Sequence, residues 1–212
     1  GITAEKIGVG VDRLDYNKGL PEKISAVDVF LKNNPEWVGK FTLVQVASPT
    51  RLHVPAYGEH IEQVSSLVDD VNYEWSRGKW KPIIFLNSFV SHEDVVALYK
   101  MADLCLVTSL HDGMNLVSKE YVTANLDGNG VLVLSKLTGT SRELTQALLV
   151  NPYSVSEMAL AIKQALEMPL EEKKARLAKM AQHIEENDVY KWAADFVENI
   201  AKLDNVVNNV VK

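Results

Sequence analysis

The segment His111-Asp112-Gly113-Met114-Asn115-Leu116-Val117-Ser118-Lys119-Glu120-Tyr121 follows an apolar run at 104–107 and reads as a strand, a tight Asp-Gly turn and a helix start. A helix opening at the carboxyl end of a buried strand is an anion site, because its first N–H groups lack internal partners and its dipole favours negative charge. Glu120, just inside the helix, would repel a phosphate and suits ribose hydroxyls instead. That combination points to a nucleotide or nucleotide sugar. A second cluster, Asp12-Arg13-Leu14-Asp15-Tyr16-Asn17-Lys18-Gly19, follows the run at 6–11. Here Arg13 as a bidentate fork and Lys18 as a point charge could both bear on a diphosphate. The plainer alternative pairs Arg13 with Asp12 or Asp15 on the loop surface and leaves Lys18 in water. Two weaker candidates are Arg51, after the turn Ser48-Pro49-Thr50, and Val90, at the end of Asn87-Ser88-Phe89, whose backbone could border a flat ring. On residue type alone, a surface arginine and a plain connector account for these two at least as well.

Apolar runs alternating with helix-period segments would position these residues. The runs at 6–11, 42–47, 82–86, 104–107, 131–135 and 148–150 are mostly continuous Val, Ile and Leu, as strands buried on both faces should be. Helical spacing falls between them at 20–33, 55–75, 92–101, 116–125 and 141–147. The alternation predicts an α/β fold, a Rossmann-like parallel sheet with helices on both faces and ligands outside the carboxyl ends of its strands. After the last run, Asn151-Pro152 breaks the pattern, and Ser154-Val155-Ser156-Glu157 is a capping box for a helix reaching about Met168. Further helical stretches are expected at 170–187 and 189–203, with a frayed tail over 204–212. No repeat or linker divides the chain, so a single domain over 1–212 is expected. The start at Gly1, with a strand within five residues, reads as a piece of something longer.

Composition narrows the function classes. Hydrophobic residues at 47% and charged residues at 24% are an ordinary globular mixture. No apolar run approaches the ~18 residues of a membrane span, and no signal-peptide pattern opens the chain. The one cysteine, Cys105, lies in an apolar run, which excludes a disulfide framework and suggests a reducing, cytoplasmic setting. A net charge of −6 argues against a broad nucleic-acid surface. Tyr73, Trp75 and Trp80 lie among Arg77, Lys79 and Lys81, and packing at a helix end explains them better than nucleic acid does. Histidines 53, 60, 92, 111 and 183 show no metal-ligand spacing, so no metal site is expected. There is no Gly-x-Gly-x-x-Gly after a strand, no Walker loop and no Gly-x-Ser-x-Gly elbow. Gly8 and Gly10 fall inside the first strand, where close packing suits them better than phosphate contact.

Taken together, these residues resemble the trehalose-6-phosphate synthase family, glycosyltransferase family 20. The resemblance rests on Val11-Asp12-Arg13-Leu14-Asp15-Tyr16-Asn17-Lys18-Gly19-Leu20-Pro21-Glu22, Ser48-Pro49-Thr50-Arg51, the run from Asp112 to Tyr121, and Val131-Leu132-Val133-Leu134-Ser135. Order and spacing match over about 6–203. The likeness implies the C-terminal, nucleotide-sugar-binding half of a two-domain GT-B glycosyltransferase, its N-terminal acceptor domain being absent from this chain. It implies transfer of glucose from UDP-glucose to glucose 6-phosphate with retention at the anomeric carbon, giving trehalose 6-phosphate, with no metal or other cofactor. By matching position, Arg13 and Lys18 would hold the donor diphosphate and stabilise departing UDP, assisted by backbone N–H groups around Asn115, Leu116 and Val117. Glu120 would bind ribose hydroxyls, Val90 would line the uracil through its backbone, and Asp112 would hold hydroxyls of the transferred glucose. Arg51 would contact the acceptor phosphate. Arg13, Lys18 and Asp112 are thus the implied catalytic set. The implied partners are the substrates and the N-terminal domain, with a homo-oligomer or a trehalose-synthase complex left open, and neither nucleic acid nor membrane.

His111 stands where the family usually has Arg, and Lys136-Leu137-Thr138-Gly139-Thr140-Ser141 replaces the more usual Glu-Phe-x-Gly-Ala-Ala. Two alternatives remain: the same donor half with another phosphorylated acceptor, such as glycerol 3-phosphate, and a non-catalytic homologue that binds the ligand and regulates a partner. The retained Arg13, Lys18, Arg51, Asp112 and Glu120 weigh against the second. The chain alone is expected to bind donor weakly and to catalyse nothing.

Overall fold

Strands rich in Val, Ile and Leu, flanked on both faces by amphipathic helices, build the computed structural model, which describes residues 2–51, 53–126 and 128–210. The strands are β1 (Lys6–Arg13), β2 (Phe41–Ser48), β3 (Ile83–Leu86), β4 (Leu104–Val107), β5 (Val131–Ser135) and β6 (Leu148–Val150). They form one parallel sheet in the order β3-β2-β1-β4-β5-β6. The helices are α1 (Leu20–Asn33), α2 (Pro55–Trp75), α3 (His92–Met101), α4 (Leu116–Ala124), α5 (Val155–Glu167), α6 (Leu170–Glu186) and α7 (Val189–Val210). Leu20, Ile24, Val27 and Phe30 of α1, Val64 and Val68 of α2, and Ile162 and Ala165 of α5 pack into one buried cluster. Val95 and Tyr99 of α3, Tyr121 and Val122 of α4, and Leu177 and Met180 of α6 form a second. Each fully buried aliphatic side chain contributes roughly 1.5–3 kcal/mol, so two such layers can fix the sheet between them.

The core also holds a charge. Lys23, in the first turns of α1, is fully buried and donates from Nζ to Asp12 Oδ2 at 2.6 Å and to Gln45 Oε1 at 3.1 Å. Gln45 Nε2 donates in turn to Asp12 Oδ2 at 3.1 Å. A Cβ at Gly10 would collide with the Gln45 carboxamide, so the glycine read as a packing residue makes room for a polar triad. Trp75 and Trp80 pack as expected, donating from Nε1 to Asp28 Oδ1 and Phe41 O, whereas Tyr73 stands in solvent. Cys105 is wholly buried, and burial pushes its thiol pKa up.

Two sequence expectations fail. The helix over 141–147 is replaced by a short 3-10 turn (Gly139–Arg142) followed by open turns. Side chains there bond to nearby carbonyls and compete with the helix: Thr138 Oγ1 donates to Ser135 O at 2.9 Å and Ser141 Oγ to Thr138 O at 2.7 Å. The last helix, expected to end at 203, runs on as α7 as far as Val210, while 211 and 212 lie outside the described residues. Val206, Val207 and Val210 fall at helical spacing, a periodicity that the interleaved Asn residues disguise. Among the described residues, no helix is long and apolar enough to cross a membrane.

Candidate functional site

Strand order reverses between β1 and β4, and a parallel sheet leaves a crevice outside the carboxyl ends of the strands at such a point. The loops leaving these two strands carry the residues singled out from sequence, and they are tied together. Leu110 N–H donates to Asn17 O at 2.8 Å, and Asn17 Nδ2 donates to His111 O at 3.0 Å. Gly19 turns the first loop into α1 at φ 65°, and a Cβ there would stand 2.5 Å from Thr108 O. Both the left-handed backbone and the close approach require glycine.

Across this junction Lys18 Nζ meets Asp112 Oδ2 at 2.7 Å, with both side chains mostly buried. Lys18 is therefore not solvated, as the plainer alternative had it. Burial pushes the Asp112 carboxyl up, but the Lys18 ammonium, the Asn115 carboxamide and the Met114 N–H outweigh it and hold the pKa below the usual value. Asn115 has φ 81°, a conformation seldom taken by a residue with a side chain. Its own bonds compensate: Nδ2 donates to Asp112 at 3.1 Å, and Oδ1 accepts from Ser118 N–H at 3.1 Å, capping α4. Among the described residues, the N–H groups of Leu116 and Val117 make no hydrogen bond, so α4 presents two open donors beside Asp112.

Arg13 pairs with Asp15 at 2.8 Å, as the plainer alternative had it, yet its side chain remains 64% exposed. Arg51 has φ 49°; its Nη1 donates to the Tyr57 hydroxyl at 3.0 Å, with the guanidinium 5.5 Å from the Tyr57 ring centre. Arg13 and Arg51 line one open cavity of about 370 Å³ with Tyr16, Tyr57, Asn17 and His111. Glu120 and Val90 stand apart from that cavity. Glu120 Oε2 accepts from the Tyr99 hydroxyl at 3.3 Å, and Val90 packs against the buried cluster that contains Tyr99. The predicted residues thus fall into Arg13 with Arg51, Lys18 with Asp112 and Asn115, and Glu120 on Tyr99, with Val90 packed against the cluster that holds Tyr99.

Sequence reasoning missed Tyr57 and Tyr99 as partners. Tyr99 looks like core on an apolar helix face, and it is fully buried with a hydroxyl that burial holds strongly protonated. Nothing in the sequence distinguishes Tyr57 from its helical neighbours. Among the described residues, Asp15 Oδ1, Thr108 Oγ1 and Ser109 Oγ are buried without a hydrogen-bond partner, and native folds leave few such atoms.

A doubly wound sheet with open donors and cations gathered at its switch point defines a Rossmann-like domain suited to an anionic ligand. Sequence comparison carries the assignment further: the profile of glycosyltransferase family 20 matches residues 2–202, and the chain belongs to that family. The alpha,alpha-trehalose-phosphate synthase [UDP-forming] of Candida albicans is 42% identical over 197 residues, covering 93% of this chain and 41% of that protein. Two solved structures superpose with TM-scores of 0.89 at 38% identity. One is a UDP-forming synthase of the same name from Burkholderia xenovorans in complex with glucose-6-phosphate, covering 92% of this chain and 43% of that one. The other is a trehalose-6-phosphate structure from E. coli bound with UDP-2-fluoro glucose, covering 93% and 44%. The chain therefore spans about two fifths of the length of the curated relative.

Proposed function

We propose that this chain is the donor-binding half of a retaining glycosyltransferase that moves glucose from UDP-glucose to glucose 6-phosphate, giving trehalose 6-phosphate and UDP. The observation that carries the reading is the joining of the β1–α1 and β4–α4 loops through Lys18 and Asp112, beside the open N–H groups of α4. The related structures with UDP-2-fluoro glucose and with glucose-6-phosphate support the substrates.

In this reading the bond from the anomeric carbon to the diphosphate oxygen breaks, and its electron pair leaves with UDP. Fixed positive groups aimed at that oxygen lower the barrier, because they need no reorganisation as charge develops. Arg13 swings from Asp15 to the diphosphate, Lys18 adds a second charge, and Leu116 and Val117 supply N–H donors. These cations do the work a metal does elsewhere, so the reaction requires no cofactor. Asp112, kept ionised by Lys18, accepts hydroxyls of the transferred glucose. Glu120, oriented by Tyr99, takes ribose hydroxyls, and the Val90 backbone borders the uracil. Arg51, displayed beside Arg13, receives the acceptor phosphate, and a second domain completes the acceptor pocket. The buried thiol of Cys105 is compatible with the cytoplasm.

Isotope-edited NMR titration of the chain and of Arg13→Ala with UDP and GDP tests the donor half. Saturable shifts with UDP at Lys18, Leu116 and Glu120, weakened in the variant, are expected. Shifts confined to other parts of the chain, or unchanged in Arg13→Ala, would rule the reading out.

A further inference from the structure

We propose that the opposite pole of the sheet, at the amino ends of its strands, carries a second site for a small organic oxyanion. A cavity of about 450 Å³ opens there among the start of β1, the end of α3, the approach to β5 and the first turn of α6. Lys6, Lys100 and Lys173 line it, with an apolar wall of Met101, Met168 and Leu170. Asp103 is the one carboxylate among the described lining residues, and it is already engaged. Its Oδ1 accepts from Lys6 Nζ at 2.6 Å and its Oδ2 from Ile7 N–H at 2.9 Å.

Lys173 is the informative residue. It is 6% exposed, and among the described residues its ammonium pairs with no carboxylate but reaches solvent at the cavity. Burial lowers its pKa, Asp103 opposes that shift, and Lys6 adds to it. A partly desolvated ammonium that faces the like charge of Lys6 across the cavity is disfavoured, and an anion seated between Lys173 and Lys6 offsets that.

The competing explanation is that the lysines neutralise helix C-termini. It fits Lys100, in the last turn of α3. It does not fit Lys173, which lies in the first turn of α6, where the dipole is already positive. The carboxylates of that turn are held by other partners, Glu171 by Lys174 at 3.5 Å and Glu172 by Arg176 at 2.8 Å. Three lysines, a helix start and an apolar wall suit a phosphate or carboxylate headgroup on a short apolar body.

Inorganic phosphate, butyl phosphate and butyrate, titrated into the isotope-labelled chain at matched ionic strength, separate the two headgroups. Saturable shifts are expected at the amides of Asp103, Asn129 and Leu170, stronger for an organic anion than for phosphate. Arg13→Ala should retain them, which keeps this site independent of the donor site. Lys173→Met should weaken them roughly tenfold or more, the loss of one charge-assisted contact. Should that variant fold poorly, the Lys173 Nζ resonance of the unaltered chain gives the same answer, because its apparent pKa must rise on anion binding. Shifts no larger than those with sodium chloride, or a Lys173 titration indifferent to every probe, overturn the proposal.

Discussion

Asp112 and Lys18 form the contact on which the candidate site depends, and the pKa shift of Asp112 gives it a pH signature. The Asp112 carboxyl is held below its ordinary value in the folded chain. A carboxyl depressed in this way stabilises the fold above its unfolded pKa, and the contribution is lost as pH falls through the folded value. Lys18→Met should therefore destabilise the chain at neutral pH by roughly 1–3 kcal/mol, the range for a hydrogen bond to a charged group. The difference between variant and parent should shrink below the carboxylate range, and urea midpoints at neutral and acidic pH measure it. A gap that stayed constant with pH would show that the pair is not what stabilises the junction. Arg13 belongs to a different kind of test, since its ion-pair partner among the described residues is the Asp15 it would have to leave. In the full-length enzyme Arg13→Ala should cost about 2–4 kcal/mol in transition-state stabilisation, read as lost kcat with KM less changed. The sequence singled out Arg13 and Lys18 as candidates because strand-end loops and charged residue types are both visible in one dimension, whereas the role given to Asp112 came from the family resemblance. It left open whether Arg13 pairs with Asp12, with Asp15 or with a ligand, and it did not reveal that Glu120 leans on Tyr99. Those choices depend on which loops meet across the sheet.

Elements hold these residues in place through two local devices, one buried and one strained. Asp12 closes β1 immediately before Arg13, and Lys23 opens α1 shortly after Lys18, so the buried triad with Gln45 braces the loop from beneath. Removing one partner leaves an uncompensated buried charge, so Lys23→Met should destabilise the chain by roughly 3–5 kcal/mol. The double variant Lys23→Met, Asp12→Asn should be milder than the two single losses combined, a coupling that a double-mutant cycle on denaturant unfolding resolves. Strict additivity would mean that the two side chains do not act as a pair. At the other loop, Asn115 must serve as helix cap at positive φ, a combination Ala cannot meet. Asn115→Ala should cost about 1–3 kcal/mol, from lost capping together with backbone strain, and Asn115→Gly appreciably less because glycine accepts φ 81°. All six strands were legible as apolar runs between helical segments; β2, β4 and β5 are buried on both faces, whereas the edge strands β3 and β6 are only partly so. The 141–147 segment was not, because its Thr and Ser side chains settle the local structure through hydrogen bonds that no hydrophobic period records. The charged triad was hidden as well, since a lysine on the first turn of a helix ordinarily reads as a solvated residue.

The molecule as a whole carries a net charge of −6 yet gathers Arg13, Lys18 and Arg51 at the carboxyl ends of its strands. Every residue assigned to the donor lies within this chain, on loops tied to each other and to the two faces of the sheet. Donor binding should therefore be measurable without the remainder of the enzyme and should couple to global stability. A ligand that binds only the folded state stabilises it by RT ln(1 + [L]/Kd), about 2.7 kcal/mol at a hundredfold excess over Kd. For a chain of 150–250 residues each kcal/mol raises Tm by roughly 2–4 °C, so saturating UDP should lift the midpoint by about 5–11 °C. GDP at the same concentration should do less, because a larger purine must fit the place that the proposed function gives to uracil beside Val90. The same preparation given UDP-glucose and glucose 6-phosphate should form no trehalose 6-phosphate, since Arg51 alone offers the acceptor one exposed cation and no enclosing wall. The two measurements separate the possibilities. A UDP-dependent rise without product assigns the donor half to this chain and turnover to its union with a second domain. Product formed by the isolated chain would mean that the crevice holds both substrates unaided. No rise with either nucleotide would mean that the paired loops are structural, and that the charges gathered at the strand ends serve the fold rather than a diphosphate.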